Sequence, residues 1–164
     1  MNEAALIETE DAALEGMRTV RLSVPARAEY IALARLALSG LADIVALPAE
    51  LLADLKLALT EAVSNSVRHA YADGAAIVSI AYELTGGALA VEVVDDGKGF
   101  DPDRPPPLEG EELTEGGLGI AIIRTIADEL EITSRPGERG SRLRFVKRLS
   151  QSRRQFSREL LDQI

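Results

Sequence analysis

The segment LTEAVSNSVRHA, residues 59–70, decides how this chain is expected to fold. Its apolar side chains recur every three or four residues, which predicts a helix over about residues 48–71. At about 100° per residue, Glu61, Asn65 and Arg68 fall on a stripe beside the apolar face. We therefore expect one side of the helix to face the core and the stripe beside it to present a carboxylate, an amide and a guanidinium. A solvated polar stripe without a function is the competing interpretation of these three residues taken alone.

The segments on either side of this helix predict the remaining elements. Alternating apolar and polar residues indicate strands, and apolar residues at three- and four-residue steps indicate helices. The predicted strands are 19–24, 77–84, 89–94, 131–134 and 141–149, and the other predicted helices are 27–46 and 116–130. This order predicts an α+β two-layer sandwich, with a mixed β-sheet and helices on one face, rather than a doubly wound nucleotide fold.

The sequence DDGKG, residues 95–99, directly follows an apolar strand. Gly97 and Gly99 allow the backbone to approach a ligand closely or to adopt a positive φ. Asp95 stands at the end of the strand, where a carboxylate can accept a hydrogen bond from an exocyclic amine such as that of adenine. A plain loop built from turn residues is the alternative.

A second glycine motif, GGLG at residues 116–119, opens the last predicted helix. Free N–H groups and the helix dipole favour phosphate at such a position. The motif lacks the Lys of a P-loop and the third glycine of a dinucleotide fingerprint, and an ordinary glycine-rich helix cap is the alternative. Residues 101–115, between the two glycine motifs, are rich in Pro and acidic residues and are too long for an ordinary connection, so we interpret them as a functional flap.

Composition narrows the classes of function. The 164 residues include no Cys and one His, which excludes thiolate metal sites, disulfides and zinc sites built on several imidazoles. The formal net charge is −9; residues 1–134 carry 9 basic and 24 acidic groups, and residues 135–164 carry 9 and 3. An acidic body argues against direct binding of nucleic acid.

Hydropathy and charge also give an expected location and domain organisation. No apolar run is long enough to span a membrane, and the N-terminal residues are acidic where a signal peptide would be basic. We therefore expect a soluble cytoplasmic protein without membrane contact. Its predicted parts are a flexible acidic leader over residues 1–17, one domain over residues 18–149 and a basic tail over residues 150–164.

Taken together, these motifs and their order resemble a known family. The segments that carry the resemblance are VPARAEY (24–30), RLALSG (35–40), EAVSN (61–65) with HAY (69–71), and EGGLG (115–119). They are similar to the GHKL, or Bergerat-fold, ATP-binding superfamily. Within it they resemble the short anti-sigma-factor serine/threonine kinases of the RsbW and SpoIIAB type. The resemblance spans about residues 19–149.

The resemblance implies a site for ATP and Mg²⁺. It implies that Glu61 is the general base, that Asn65 is the Mg²⁺ ligand, and that Asp95 binds the adenine amino group. The other implied contacts are Gly97 and Gly99 beside the base, Gly117, Leu118 and Gly119 at the phosphates, and Arg35 on a partner protein. Two features depart from the family pattern: the last strand offers Ser141 where the family often has Thr near adenine, and the flap contains three consecutive prolines at 105–107.

The resemblance also implies a function in transcription regulation and stress response. Such a protein binds and inhibits a sigma factor, and it transfers the ATP γ-phosphate to a serine of an anti-anti-sigma partner, a STAS-type substrate. A homodimer is implied as well. A nucleotide-dependent sigma-binding module without kinase activity is the alternative. An ATP hydrolase of the gyrase type is a third possibility, but it would need transducer or dimerisation domains that 164 residues do not hold.

Overall fold

The computed structural model describes residues 18–70, 76–85, 87–99, 101, 117–135 and 138–149. The predicted leader, residues 102–116 and the predicted tail lie outside the described residues. In chain order the elements are β1 (Arg18–Pro25), a 3₁₀ turn (Ala28–Tyr30), α1 (Ile31–Val45), α2 (Ala49–Ala70), β2 (Ile77–Leu84), β3 (Ala88–Asp95), α3 (Gly117–Ile126), β4 (Glu129–Thr133) and β5 (Ser141–Arg148).

The five strands form one sheet in the order β1-β2-β3-β5-β4. The predicted α+β class is confirmed, but the predicted mixed sheet is wrong, because every strand pair among the described residues is antiparallel. The reason is the position of β5. Strand β3 precedes α3 in the chain and β4 follows it, and these two strands run parallel to each other. The β4–β5 hairpin places β5 between them in the sheet. The two parallel strands are therefore not neighbours.

One face of the sheet carries the core. On β2, the side chains of Val78, Ile80, Tyr82 and Leu84 are buried, and the residues between them are partly or fully exposed. Helices α2 and α3 pack against the sheet on this side. The alternate positions form the opposite face, which carries ion pairs between β5 and the strands β2, β3 and β4, such as Arg142–Glu92. The predicted layer of helices on one face is confirmed.

A buried tyrosine fixes α1 on the sheet. The predicted helix began at Arg27, but the first residues form the 3₁₀ turn and the α-helix begins at Ile31. The Tyr82 hydroxyl donates a hydrogen bond of 2.7 Å to the Ala34 carbonyl oxygen of α1. Burial raises the pKa of the Tyr82 hydroxyl above its usual value, so this group remains a neutral donor.

The junction between α3 and β4 differs from the prediction. The predicted helix ran to Leu130, whereas α3 ends at Ile126 and Leu130 lies in β4. Asp128 ends the helix because it is tied to β5: its N–H donates to the Val146 carbonyl oxygen, and its carboxylate accepts a 2.6 Å bond from the Arg148 N–H. These bonds start the pairing of β4 with β5 at Glu129.

No helix among residues 18–70 and 117–126 is long and apolar enough to cross a membrane.

Candidate functional site

The predicted stripe on α2 contains a buried amide, the side chain of Asn65. Asn65 is only 3% exposed, and neither its Oδ1 nor its Nδ2 has a hydrogen-bond partner among the described residues. Leaving a buried donor and acceptor unpaired costs free energy, and native proteins rarely tolerate it without a reason. Such a side chain fits a site at which a ligand or metal ion supplies the missing partner.

Glu61 and Asn65 meet the first turn of α3. A side-chain carbon placed on Gly119 would lie 2.6 Å from Glu61 Oε2 and 3.6 Å from Asn65 Nδ2. The structure therefore brings the carboxylate, the amide and the glycine-rich helix start together. Gly117 begins α3, and Leu118 between the two glycines is 56% exposed.

The start of α3 also offers backbone donors. The first N–H groups of an α-helix have no acceptor within the helix, and they carry partial positive charge. Gly117, Leu118 and Gly119 are the first three residues of α3, and Gly119 lies beside Glu61 and Asn65. An anion such as a phosphate fits this position by its charge and by its acceptor oxygens.

The carboxylate of Asp95 is held from two sides. Asp95 is 4% exposed, its Oδ1 accepts a 2.9 Å bond from the Gly97 N–H, and its Oδ2 accepts a 2.5 Å bond from the Ser141 hydroxyl. Each oxygen retains a lone pair, so the group can still accept a hydrogen bond from an amine. Ser141 is the residue that departs from the pattern of the family that the sequence resembles. The pairing of Asp95 opposite Ser141 in the β3–β5 ladder places that hydroxyl on the aspartate.

Residues of the β4–β5 connection contact the turn at residues 95–99 and hold its backbone in place. Gly99 has a φ of 68°, and a side chain on it would collide with the Arg135 carbonyl oxygen. The Gly140 N–H donates a 2.7 Å bond to the Gly97 carbonyl oxygen. Gly99 is therefore required by its backbone conformation and by its neighbour, independently of any ligand.

Arg35 lies at a groove between α1 and α2. The Arg35 side chain is on the exposed side of α1. The groove has a volume of about 360 Å³, and its lining residues are Arg35, Ala49, Leu52, Ala53, Lys56, Leu57 and Thr60. Two cationic side chains thus border a mainly apolar surface. Such a surface suits a protein segment with acidic and apolar side chains.

Within the described part of the chain, no group of three or more His, Cys, Asp or Glu side chains is arranged to hold a metal ion.

Comparison with known proteins agrees with this geometry. The profile of the histidine kinase-like ATPase domain matches residues 24–147. The chain therefore belongs to the family of proteins that contain this ATPase domain.

Within that family the chain is similar to serine-protein kinases. It is 35% identical to serine-protein kinase RsbW of Bacillus velezensis, over 72% of this chain and 79% of the relative. It is 32% identical to serine-protein kinase RsbW of Staphylococcus aureus, over 79% of this chain and 87% of the relative. The predicted family and the predicted enzyme class, a protein serine kinase, are confirmed.

A solved structure shares the fold. The SiaB–SiaC complex of Pseudomonas aeruginosa contains a chain with a TM-score of 0.61 and 16% identity, which covers 90% of this chain and 99% of that chain.

Proposed function

We propose that this protein is an anti-sigma factor that transfers the γ-phosphoryl group of ATP to a serine of an anti-anti-sigma protein. Membership of the ATPase family and the similarity to serine-protein kinases support ATP as the phosphoryl donor. The observation that carries the proposal is the buried Asn65 amide beside Glu61 and Gly119, which has no hydrogen-bond partner in the part of the chain that the structure describes.

The residues fit a magnesium-bound nucleotide. Asn65 Oδ1 would be the protein's oxygen ligand to Mg²⁺, with nucleotide phosphates as further ligands. Asp95, oriented by Gly97 and Ser141, would accept the adenine amino hydrogen. The first N–H groups of α3 would donate to phosphate oxygens. When bound, Mg²⁺ neutralises phosphate charge and helps to align the γ-phosphoryl group.

Glu61 is the residue that we propose as the general base. A glutamate carboxylate can accept a proton from a hydroxyl that lies within hydrogen-bond reach. The hydroxyl proton of the substrate serine passes to Glu61 while the serine oxygen bonds to the γ-phosphorus. The bond from that phosphorus to the β–γ bridging oxygen breaks, and ADP leaves. Arg68, exposed one turn beyond Asn65, is a candidate for stabilising the charge on the transferred group.

The second part of the proposal concerns protein partners. We assign the groove that Arg35 and Lys56 border to contact with a partner protein. The apolar side chains that line the groove and its two cationic side chains suit an amphipathic acidic segment. The sigma factor and the anti-anti-sigma protein would then compete for this protein, so that one displaces the other.

A phosphotransfer assay with Glu61→Ala tests the enzymatic part. With labelled ATP and an anti-anti-sigma protein, we expect wild-type protein to label the partner. Glu61→Ala should lose about 100-fold or more of the transfer rate and still bind nucleotide. The control is Glu50→Ala, an exposed acid in the first turn of the same helix, which should transfer at the wild-type rate.

Other results of this assay favour the competing functions. If wild-type protein binds ATP and a sigma factor without labelling any partner, it is a binding module and not a kinase. If it releases free phosphate without labelling the partner, it is an ATP hydrolase.

We also propose that the protein is a cytoplasmic homodimer that acts in a stress response, with the boundaries at residues 18 and 149 given above. The resemblance supports these finer statements. Sedimentation equilibrium tests the oligomeric state, and a single species at the monomer mass of 17.6 kDa would remove the dimer from the proposal.

A further inference from the structure

The contact between Gly119 and Glu61 joins two motifs that lie far apart in the sequence. A carbon added to Gly119 would stand 2.6 Å from Glu61 Oε2, which is closer than side-chain carbons approach oxygen atoms in proteins. The next neighbour, Asn65 Nδ2, would be at 3.6 Å, an ordinary contact distance. An alanine at position 119 therefore has to displace the Glu61 carboxylate, whereas its side-chain carbon meets Asn65 Nδ2 at an ordinary distance.

The backbone does not explain the glycine at this position. The glycines with a positive φ among the described residues are Gly99 and Gly140, so Gly119 has a conformation that other residues adopt in a helix. Glycine is less favourable than alanine within a helix because it loses more conformational freedom on folding. The contact with Glu61 is the steric reason that the structure offers.

We propose that Gly119 is a positioning residue for Glu61. Because glycine has no side chain, the Glu61 carboxylate can occupy its position beside the Asn65 amide. This inference rests on the proposed function, in which Glu61 accepts the serine proton. It differs from a phosphate-binding role of Gly119. A phosphate would be bound through the Gly119 N–H, and alanine has the same N–H. Alanine at this position therefore separates the two roles.

The test is Gly119→Ala, measured for both transfer rate and nucleotide affinity. Because the displaced group is the flexible end of a side chain, we expect the variant to fold. Its Kd for Mg²⁺-ATP should stay within about threefold of wild type, and kcat for partner phosphorylation should fall about 10- to 100-fold, as expected when a reacting group moves by about 1 Å. A wild-type kcat would overturn the inference. So would a loss of nucleotide affinity as large as the loss of rate.

The matched control is Gly40→Ala. Gly40 lies within α1, and a carbon added to it meets nothing within 4 Å. This variant should keep the wild-type kcat and raise the melting temperature by a few degrees. If Gly40→Ala lowers kcat as much as Gly119→Ala does, the effect is general to helix glycines and the inference fails.

A shorter acid provides a second test that separates position from fold. In the Glu61→Asp background the carboxylate is withdrawn by one methylene group, so Gly119→Ala should lower kcat by a smaller factor than in the wild-type background. Equal factors in the two backgrounds would contradict the proposed contact.

A spectroscopic measurement distinguishes failure of this inference from failure of the proposed function. If wild-type protein phosphorylates no partner, the proposed function fails, but the positioning claim can still be measured. The ¹³C resonance of the Glu61 carboxyl should shift in Gly119→Ala and stay unchanged in Gly40→Ala. An unchanged resonance in Gly119→Ala would overturn the inference even where the kinase is active.

Discussion

The carboxylate of Asp95 is nearly fully buried, and both of its oxygens accept hydrogen bonds from within the chain. The Gly97 N–H and the Ser141 hydroxyl together fix the plane of the carboxylate before any ligand contacts it. A group oriented in advance binds with a smaller loss of conformational freedom. At the residue scale, Ser141 thus belongs to the candidate site as a support for Asp95.

We predict that Ser141→Ala weakens nucleotide binding about fivefold to 50-fold, because one oxygen of a buried carboxylate loses its donor. Isothermal titration calorimetry with ADP or ATP measures the effect. Ser141→Thr keeps the hydroxyl and should bind within about threefold of wild type. Equal affinities for wild type and Ser141→Ala would show that Asp95 does not need this support.

The sequence singled out Glu61, Asn65 and Asp95 as candidate site residues, but it did not reveal the side chains and strand contacts that support them. Periodicity on α2 was sufficient to place Glu61 beside Asn65, since both lie on one helix. The bond between Ser141 and Asp95 depends on strand register, which residues 95 and 141 do not encode locally. The steric need for glycine at 99 likewise comes from Arg135, 36 positions away in the chain.

At the scale of elements, the short connection between α3 and β4 depends on Asp128. The Arg148 N–H, helped by the Lys147 ammonium at 3.2 Å, holds the pKa of the Asp128 carboxyl below its usual value. A carboxyl with a lowered pKa in the folded state stabilises the fold while ionised. That contribution is present above its unfolded pKa, near 4, and is lost as the pH falls through the folded value.

We predict that Asp128→Asn lowers the free energy of unfolding by roughly 1 kcal/mol at pH 7, a modest value because the carboxylate is partly exposed. The difference between wild type and variant should shrink as the pH is lowered below about 4. Urea unfolding of both proteins at several pH values measures it. A difference that does not change with pH would show that the charge of Asp128 contributes nothing.

This junction also shows why the end of a helix was predicted too late. Apolar residues at 122, 123, 126 and 130 continue the helical spacing through Leu130, and Leu130 packs against the core as predicted. The helix stops earlier because Asp128 bonds to β5, an element that follows it in the chain. Local periodicity cannot report a contact of this kind. The same limit applies to the order of the strands, in which β5 separates β3 from β4.

At the scale of the whole molecule, the acidic balance bears on partner release. The net charge is −9, and residues 1–134 hold 24 of the 27 acidic groups. A phosphoserine adds about −1.5 to −2 charges to a bound partner at pH 7. We therefore expect repulsion between the phosphorylated partner and this chain to favour dissociation.

We predict that raising the salt concentration from about 0.05 M to about 0.5 M strengthens binding of the phosphorylated partner several-fold, since salt screens like charges. The unphosphorylated partner should show no such gain. Fluorescence anisotropy with both forms of the partner measures the two affinities. An affinity for the phosphorylated form that is independent of salt would assign its release to contacts other than charge repulsion.

We propose that Asn65 is kept for a magnesium-bound nucleotide and not for the fold, and the variant Asn65→Leu separates these two roles. Because neither polar atom of Asn65 has a partner among the described residues, an apolar side chain of similar size should leave the melting temperature unchanged or raise it. In calorimetry, wild-type protein and the control Ser64→Ala, one residue away on α2, should release heat with Mg²⁺-ATP. Asn65→Leu should release none. A variant that melts several degrees lower and still binds Mg²⁺-ATP like wild type would contradict the account.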